Sequence, residues 1–261
     1  MIPKKIHYCW FGGGEMSESM RECMESWKKF CPDYELIEWN EARFDVRCNR
    51  YAREAYEAEK WAFVADMVRL YALVTEGGVY LDTDVELVKP LDGLTFSAGI
   101  GFESDSLLST AFMAAERGNP CFEALLAEYD GLPFIKEDGT PDLTTNVERV
   151  TEFFASRGLR RNGMRQEVAG VAVLPSEYFS PKDFQTGKLQ VTENTYAIHR
   201  FEGSWLCDED RTAEAFKRRY AKYMPTDWAG RCGKFFAISK YRGVRAAMRA
   251  VAAWTKRKSG R

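Results

Sequence analysis

The amino-acid sequence predicts an α/β fold, with a mostly parallel β-sheet and flanking helices. Three observations support this prediction. Strand-like and helix-like stretches alternate from residue 6 to residue 88, a helical stretch before Gly77-Gly78 is apolar on all sides, and two acids directly follow a short apolar strand. Alternation of this kind is typical of parallel sheets, because a helix must return the chain to the start of the next strand.

The first half of the chain has a local signal for each element. Strands are predicted at Ile6–Phe11, Glu35–Trp39, the residues leading to Asp82, and Val85–Val88. Helices are predicted over residues 17–30 and 51–76. Gly77-Gly78 should end the second helix, because glycine readily adopts the left-handed backbone of a helix C-cap.

The second half is less regular. Strands are predicted at Ser109–Ala115, Val171–Leu174 and Thr195–His199. Helices are predicted at Pro120–Tyr129, Asn146–Ser156 and Glu209–Tyr223, with a basic amphipathic helix over residues 240–257.

Composition is ordinary for a globular protein, with 261 residues, 29% charged and 45% hydrophobic. No run reaches the length of an apolar membrane span, and the N-terminus lacks the apolar core of a signal peptide. The seven cysteines contain no Cys-x-x-Cys pair, which argues against a zinc site and a disulfide framework. A reducing cytosol is the expected compartment.

Charge is distributed unevenly along the chain. Residues 228–261 contain ten Lys or Arg and no Asp or Glu, although the whole chain has a net charge of −2. Arg245 and Arg249 fall on one face of the predicted last helix, and Val244 and Met248 lie largely on another. Such a helix can lie on an anionic bilayer, or it can pack on the protein with its charges in water. The sequence leaves both alternatives open. No nucleic-acid-binding motif accompanies the charge.

Asp82-Thr83-Asp84 is the clearest chemical signal. Side chains alternate along a strand, so residues i and i+2 share one face. Two carboxylates at a strand end form a hard-oxygen site for Mg²⁺ or Mn²⁺, and such a metal usually holds a diphosphate. A solvated turn is the alternative.

Asp66 and Arg69 are the only charged residues in the apolar stretch Trp61–Thr75, and their spacing places them on one helix face. A buried ion pair rarely stabilises a protein more than an apolar pair would. Its position near a predicted metal site therefore favours a ligand-binding role, with the carboxylate accepting from sugar hydroxyls and the guanidinium donating to phosphate. A purely structural pair is the alternative.

Three blocks of sequence together resemble glycosyltransferase family 32. They are Ile2–Gly12, the run from Phe63 to Asp84 with its Asp-x-x-Arg and Tyr-x-Asp-x-Asp patterns, and Tyr196–Trp205. The family includes the yeast initiating α-1,6-mannosyltransferase and many bacterial capsule or lipopolysaccharide transferases. The same pattern is similar to that of the large clostridial glucosylating toxins.

The resemblance implies a GT-A fold, with a Rossmann-like mixed sheet. It implies a catalytic domain over residues 1–230, divided into a nucleotide-sugar and metal half (1–100) and an acceptor half (100–230), and then a basic C-terminal helix (231–261). The implied activity is metal-dependent, retaining hexosyl transfer to a saccharide or lipid-linked saccharide in surface polysaccharide synthesis. The expected location is the cytoplasm or the inner face of the cytoplasmic membrane.

The resemblance also implies roles for individual residues. Trp10 would stack on the nucleotide base, unless it is a core tryptophan. Asp66 and Arg69 would hold the donor sugar and ribose, and Tyr80 would flank the nucleotide. Asp82 and Asp84 would bind Mn²⁺ or Mg²⁺, with Asp82 also in the donor site and Arg69 counted with the two acids as catalytic.

The C-terminal block would close the site near the metal and diphosphate. It contributes Ser204 and Trp205 as donor-binding residues and His199 as a third metal ligand. The only other histidine, His7, is expected to pack structurally on the first strand. Thr144-Thr145-Asn146 can face the acceptor, but helix capping alone explains these residues.

The donor and the class of protein remain open at this point. The donor is expected to be a UDP-hexose, with GDP-mannose as the second possibility. A phosphatase of the haloacid-dehalogenase type is disfavoured, because Glu86 stands where that class has Thr or Val. A non-catalytic nucleotide-sugar or carbohydrate-binding protein is also compatible with the sequence, and so is a transferase that modifies protein side chains. No nucleophilic carboxylate is evident, so front-face substitution is the expected mechanism.

Overall fold

A computed structural model of the chain describes residues 1–203 and 208–258, with side chains described up to residue 251. The described chain forms two compact units. The first unit comprises Met1–Pro181 and Gln190–Arg200, and the second comprises Lys182–Leu189 and the described part of Phe201–Arg261. The domain boundaries expected at residues 100 and 230 stay a prediction.

The first unit contains all nine strands of the described chain and five α-helices. Its strands are β1 (Lys5–Cys9), β2 (Glu35–Trp39), β3 (Gly78–Leu81), β4 (Val85–Leu87), β5 (Ala98–Phe102), β6 (Leu108–Ala115), β7 (Gln166–Val168), β8 (Val171–Leu174) and β9 (Ala197–His199). Its helices are α1 (Glu18–Phe30), α2 (Arg50–Glu57), α3 (Trp61–Glu76), α4 (Pro120–Ala127) and α5 (Asn146–Ala155). The second unit contributes α6 (Asp208–Tyr220), α7 (Thr226–Arg242) and α8 (Val244–Lys258).

Seven strands form the main sheet in the order β2-β1-β3-β6-β5-β8-β7. β1 pairs in parallel with β2 and β3, and β5 pairs in parallel with β8. β6 is antiparallel to β3 and β5, and β7 is antiparallel to β8. Strands β1, β2, β3, β5 and β8 therefore share one direction. The predicted α/β class with a mostly parallel sheet is confirmed.

β4 and β9 form a separate two-stranded antiparallel sheet. The predicted strand over Val85–Val88 therefore exists, but it lies outside the main sheet. The indole Nε1 of Trp27 donates to the carbonyl oxygen of Val85 at 2.7 Å, and the Leu87 amide donates to Ser26 Oγ at 2.8 Å. These bonds with α1 satisfy polar backbone groups of β4, which pairs only with β9 among the described strands.

The junction between α3 and β3 requires its two glycines. Gly77 has φ +65° and Gly78 has φ +113°, both in the region that side chains disfavour. A Cβ on Gly77 would lie 2.6 Å from the backbone nitrogen of Arg117, and one on Gly78 would lie 2.8 Å from the carbonyl oxygen of Lys5. The predicted end of α3 at Gly77-Gly78 is confirmed.

Two predicted helices are wrong in their extent. The single helix expected over residues 51–76 is divided into α2 and α3, with Glu59 between them at φ +56°. The helix expected over residues 240–257 begins within α7 and is interrupted at Gly243, which has φ +86°. Strands β5 and β7 and most of α7 were not predicted. Within the described residues, no helix is long and apolar enough to cross a membrane.

His7 has a structural role, as predicted. Its side chain is fully buried, its Nδ1 accepts from Trp39 Nε1 at 3.1 Å, and its Nε2 lies 2.7 Å from the carbonyl oxygen of Gly77. Because indole nitrogen can only donate, the proton of the neutral ring is on Nε2. Burial lowers the pKa of His7 from its usual value of 6.5, so the imidazole is neutral.

We expect His7 to make the protein less stable in mild acid. In the unfolded chain His7 takes up a proton near pH 6.5, whereas in the folded chain it does so only at lower pH. The free energy of unfolding therefore falls as the pH drops below 6.5. The slope from this residue approaches about 1.4 kcal/mol per pH unit. Denaturant unfolding of the wild type and of His7→Gln between about pH 5 and 8 measures it. Parallel curves for the two proteins would contradict the assignment.

Candidate functional site

The candidate site lies at the edge of the main sheet where β1, β3 and β5 end. Because these strands run in the same direction, their carboxyl ends share one edge, which is where open α/β sheets bind ligands. Trp10 follows β1, Asp82 follows β3, and Glu103 follows β5. Three chemically capable side chains are therefore placed at the same edge by the strand order alone.

Asp82 and Asp84 lie in a turn between β3 and β4. The Val85 amide donates to the carbonyl oxygen of Asp82 at 3.0 Å, which closes the turn. The Asp82 amide donates to the carbonyl oxygen of Ala111 at 2.9 Å, which anchors the turn to β6. The prediction that both acids share one face of a strand is therefore wrong. The turn, rather than strand alternation, brings the two carboxylates together.

His199 reaches the same place along the small sheet. His199 is opposite Val85 in the β4–β9 ladder, and the Arg200 amide donates to the carbonyl oxygen of Asp84 at 2.9 Å. The Nε2 atom of His199 lies 3.4 Å from Asp84 Oδ1. One ligand atom from each of Asp82, Asp84 and His199 lies within 4.8 Å of the other two. The sequence prediction of these three residues as one cluster agrees with this geometry.

The donor set of this cluster fits a divalent cation that accepts mixed ligands. Two carboxylates and one imidazole suit Mn²⁺ better than Mg²⁺, which prefers oxygen alone. Burial by itself would lower the pKa of His199, but the neighbouring Asp84, with Asp82 and Glu103, outweighs burial and raises it. The negative charge that raises this pKa would also attract a cation.

Arg69 is the centre of the buried polar network beside this cluster. Its Nη2 donates to Asp66 Oδ1 at 2.9 Å, and its Nη1 donates to the carbonyl oxygen of Thr110 at 2.7 Å. The same Nη1 lies 3.2 Å from Asp82 Oδ1. The guanidinium is 4.7 Å from the centre of the Tyr80 ring, and the Tyr80 hydroxyl donates to Asp82 Oδ1 at 2.9 Å. Two predicted donor-site residues therefore orient the Asp82 carboxylate.

Asp66 lies deeper than Asp82. Burial raises the pKa of Asp66 to about 6, despite the opposing charge of Arg69. The Asn146 amide, at the start of α5, is close enough to favour the charged form of Asp66. Within the described chain, Asn146 Nδ2, Tyr51 Oη and Arg149 Nε are buried and make no hydrogen bond. Buried polar atoms of this kind usually have a partner, so a hydroxyl-bearing ligand would suit this region.

The Thr144–Asn146 segment does cap a helix, as the capping explanation required. Thr145 accepts from the Glu148 amide, and the Glu148 carboxylate accepts from the Thr145 amide, forming a capping box. Capping does not account for Asn146, whose Oδ1 accepts from the Tyr129 hydroxyl at 3.2 Å while Nδ2 has no bond in the described residues.

Glu103 is a site residue that sequence reasoning missed. It follows β5, and its amide donates to the carbonyl oxygen of Leu107 at 2.7 Å, which begins the turn into β6. Burial raises the pKa of Glu103; His199 opposes this shift, and the like charges of Asp82 and Asp84 add to it. Recognising β5 would have placed an acid at a third strand end of the same edge.

Three predicted donor-site residues stay predictions. Trp10 is half-buried, and its Nε1 donates to the carbonyl oxygen of Gly14 at 2.7 Å, which fixes the indole within its own loop. Its stacking on a base stays a prediction. Ser204 and Trp205 lie outside the described residues.

A family model matches the part of the chain that contains the Asp82–Asp84 turn. Residues 17–104 match the description "Glycosyltransferase sugar-binding region containing DXD motif". This segment is similar to such a sugar-binding region. The matched residues run from the cap of α1 to just past Glu103 and include Asp66, Arg69 and the Asp82–Asp84 turn. The resemblance to family 32 is confirmed in this segment.

Curated relatives extend beyond the matched segment. Lactosylceramide 4-alpha-galactosyltransferase of Mus musculus is 29% identical over 194 residues, covering 67% of this chain and 51% of the relative. Inositol phosphoceramide mannosyltransferase 3 of Schizosaccharomyces pombe is 30% identical over 128 residues, covering 46% of this chain and 35% of the relative. The chain thus spans about half the length, or less, of these relatives.

Among solved structures, the chain is similar to the ligand-free glycosyltransferase domain of the YGT toxin. The TM-score is 0.49 at 11% identity, covering 92% of this chain and 90% of that one. The PaToxG glycosyltransferase gives a TM-score of 0.44 at 21% identity, covering 60% of this chain and 72% of that one.

We expect Arg69→Met to reduce the free energy of unfolding by about 3–5 kcal/mol, because the buried Asp66 carboxyl loses its partner and must either stay charged without it or take up a proton. The matched control is Arg43→Met, since Arg43 pairs with Glu76 at the surface, where the loss should be about 1 kcal/mol or less. Denaturant titrations compare the two variants. Adding Asp66→Asn to Arg69→Met should recover part of the loss. Equal losses in the two single variants would contradict this assignment.

We expect Glu103→Gln to weaken Mn²⁺ binding severalfold without a large loss of stability, because it removes one negative charge near the Asp82–Asp84–His199 cluster. Isothermal titration with MnCl₂ measures the change. Glu137→Gln is the control, since Glu137 is exposed in a loop. Unchanged Mn²⁺ affinity in Glu103→Gln would exclude the residue from the site.

Proposed function

We propose that this chain is a metal-dependent, retaining glycosyltransferase that moves a hexose from a nucleotide-sugar to a saccharide or lipid-linked saccharide. The observation that carries the proposal is the convergence of Asp82, Asp84 and His199 within 4.8 Å, next to the buried Arg69. Both acids and Arg69 belong to the segment that matches a DXD-type sugar-binding region. The comparisons support the transferase class, and the whole activity is our inference.

Mn²⁺, or Mg²⁺, is the proposed cofactor, held by Asp82, Asp84 and His199. A divalent ion neutralises the charge that develops on a departing diphosphate, which is worth several kcal/mol. Tyr80 and Arg69 hold the Asp82 carboxylate in place through bonds to Oδ1. The positive charge of Arg69 is available to stabilise phosphate charge in the same region.

The donor sugar is proposed to lie beside Asp66. The carboxylate of Asp66, with the buried Asn146 Nδ2 and Tyr51 Oη, offers the donors and acceptors that sugar hydroxyls need. Trp10, Ser204 and Trp205 are proposed to complete the donor site around the base and diphosphate. UDP-hexose is our first proposal for the donor. GDP-mannose is the second, supported by the mannosyltransferase among the relatives.

Transfer is proposed to occur on the front face of the sugar. The bond from the anomeric carbon to the diphosphate oxygen breaks, a bond to the acceptor oxygen forms on the same face, and the acceptor proton passes to the departing diphosphate. Asp66 and Asp82 are already engaged by Arg69, so neither is placed as a free nucleophile. Isolation of a covalent glycosyl-enzyme would overturn this mechanism.

A lipid-linked acceptor is supported by the names of the relatives, which specify lactosylceramide and inositol phosphoceramide.

We propose a role in bacterial surface polysaccharide synthesis, of capsular or lipopolysaccharide type, in the cytoplasm. Within the described residues, free thiols are found at Cys9, Cys31, Cys48, Cys121 and Cys232, which suits a reducing compartment. Peripheral membrane binding is proposed through α8, where Val244 and Met248 are each 59% exposed and Arg245 and Arg249 are exposed.

Donor hydrolysis tests the proposed function. We expect slow release of free hexose from UDP-glucose, UDP-galactose or GDP-mannose that requires Mn²⁺ and is reduced at least about a hundredfold by Asp84→Asn. Asp130→Asn is the matched control, because Asp130 is exposed and remote in sequence from the site. Release of sugar that is independent of Mn²⁺ would contradict the proposal.

A thermal-shift screen separates a transferase from a non-catalytic binding protein. A donor present at about 100 times its Kd stabilises the fold by about 2.7 kcal/mol. A nucleotide-sugar that gives this shift with Mn²⁺, but is never hydrolysed or transferred, would favour the binding protein.

A further inference from the structure

The second unit contains a positively charged cavity of about 750 Å³. It is lined by a short hairpin, Lys182–Leu189, by the second half of α6, and by Lys222 in the turn that follows α6. The lining residues are Lys182, Thr186, Gly187, Lys188, Ala215, Arg218, Arg219 and Lys222. All of these residues belong to the second unit, whereas Asp82, Asp84 and His199 belong to the first.

The hairpin has a fixed shape that presents its basic residues. Lys182 pairs with Leu189 in a β-bridge, and the Asp183 amide donates to the carbonyl oxygen of Lys188 at 2.9 Å. The Asp183 carboxylate accepts from the Thr186 amide at 2.6 Å and from its hydroxyl at 2.5 Å. The one acidic residue of the hairpin is therefore occupied within its own turn.

The hairpin is tied to the second unit by aromatic contacts. The Phe184 ring lies 5.2 Å from the Phe201 ring, and Lys217 Nζ lies 5.8 Å from the centre of the Phe184 ring. Arg218 Nη1 donates to the carbonyl oxygen of Phe201 at 2.7 Å. Arg218 is thus held in position at the cavity wall, and its guanidinium has further N–H donors.

The positive charge of the cavity is larger than is needed to complement the dipole at the end of α6. Five lining residues are basic, and no described residue that lines the cavity is acidic. Basic residues in a last helical turn complement the helix dipole, but that dipole amounts to only about half a charge. Other basic residues of this unit are neutralised, as in the pairs Lys217–Glu214 and Arg242–Glu209. Lys188, Arg219 and Lys222 form no ion pair within the described residues.

We propose that this cavity is a binding site for the phosphate or diphosphate group of an anionic ligand. Lysine and arginine side chains are the groups that bind phosphate oxygens, and five of them line this cavity. The site does not depend on the proposed transferase activity. The phosphate can come from a free anion or from a lipid headgroup, and the two sources can be distinguished.

The first arm of the test uses inorganic pyrophosphate without divalent cations, so that the proposed metal site takes no part. We expect the wild type to bind it in isothermal titration, and Lys188→Glu with Lys222→Glu to bind it at least about tenfold more weakly. The matched control is Lys234→Glu with Lys240→Glu, which makes the same charge change at two exposed lysines of α7. The control should lose less than about twofold, because neither lysine lines the cavity and exposed charges are screened by salt.

The second arm uses vesicles of phosphatidylcholine with and without phosphatidylglycerol. Flotation of the wild type with phosphatidylglycerol vesicles, lost in the Lys188/Lys222 variant and competed by pyrophosphate, would identify a lipid headgroup as the source. Pyrophosphate binding without flotation, or with flotation that the Lys188/Lys222 variant retains through α8, would identify a soluble phosphate. Absence of both, or equal losses in the two double variants, would overturn the proposal.

Folding of the variants is checked separately. The replaced lysines are exposed, so the thermal midpoint should match that of the wild type. If Lys188→Glu with Lys222→Glu unfolds, Lys188→Gln with Lys222→Gln removes the charge without adding acids, and the same loss of about tenfold is expected.

Discussion

The buried guanidinium of Arg69 is the contact on which the candidate site depends. It joins Asp66 on its own helix, the Thr110 carbonyl on β6 and the Asp82 carboxylate after β3. One side chain therefore links three elements of the fold at the end of the sheet. Because a buried charge is costly unless it is fully paired, none of these partners can change alone without a penalty.

This constraint orders the site in layers. The Tyr80 ring packs against the Arg69 guanidinium, and the Tyr80 hydroxyl donates to Asp82 Oδ1. The first acid of the motif is therefore held through its side chain. Asp84 is held instead through its backbone, because its carbonyl oxygen accepts from the Arg200 amide at the end of the small β4–β9 sheet. Polar atoms of Asn146, Tyr51 and Arg149 lie near Asp66 without a described hydrogen-bond partner. The site thus combines a pair of acids held in place by hydrogen bonds with buried polar atoms that make no hydrogen bond within the described residues.

Much of this arrangement could be predicted from sequence, and the failures have physical reasons. The apolar α3, its glycine end and the Asp82–Asp84 acids have strong local signals. β5 was missed because glycine is uncommon within strands, and Gly99 and Gly101 interrupt the apolar pattern. The structure explains both glycines. A Cβ at Gly99 would lie 2.3 Å from the Phe96 ring, and one at Gly101 would lie 2.8 Å from the Phe179 ring. The break at Ala58–Lys60 was missed because residues of this kind favour helices, and tertiary packing overrode that preference. Glu103 could not be predicted as a site residue, because its position at the edge of the sheet depends on recognising β5 as a strand.

The small sheet gives the site a further property. Asp84 and His199 are far apart in the chain, yet β4 and β9 hold them 3.4 Å apart. A cation shared by these residues would act as a reversible cross-link that closes a very long loop. In the unfolded chain, closing such a loop would cost considerable entropy, so the ion would bind the folded form selectively. Metal supply would then control the lifetime of the folded protein as well as its chemistry.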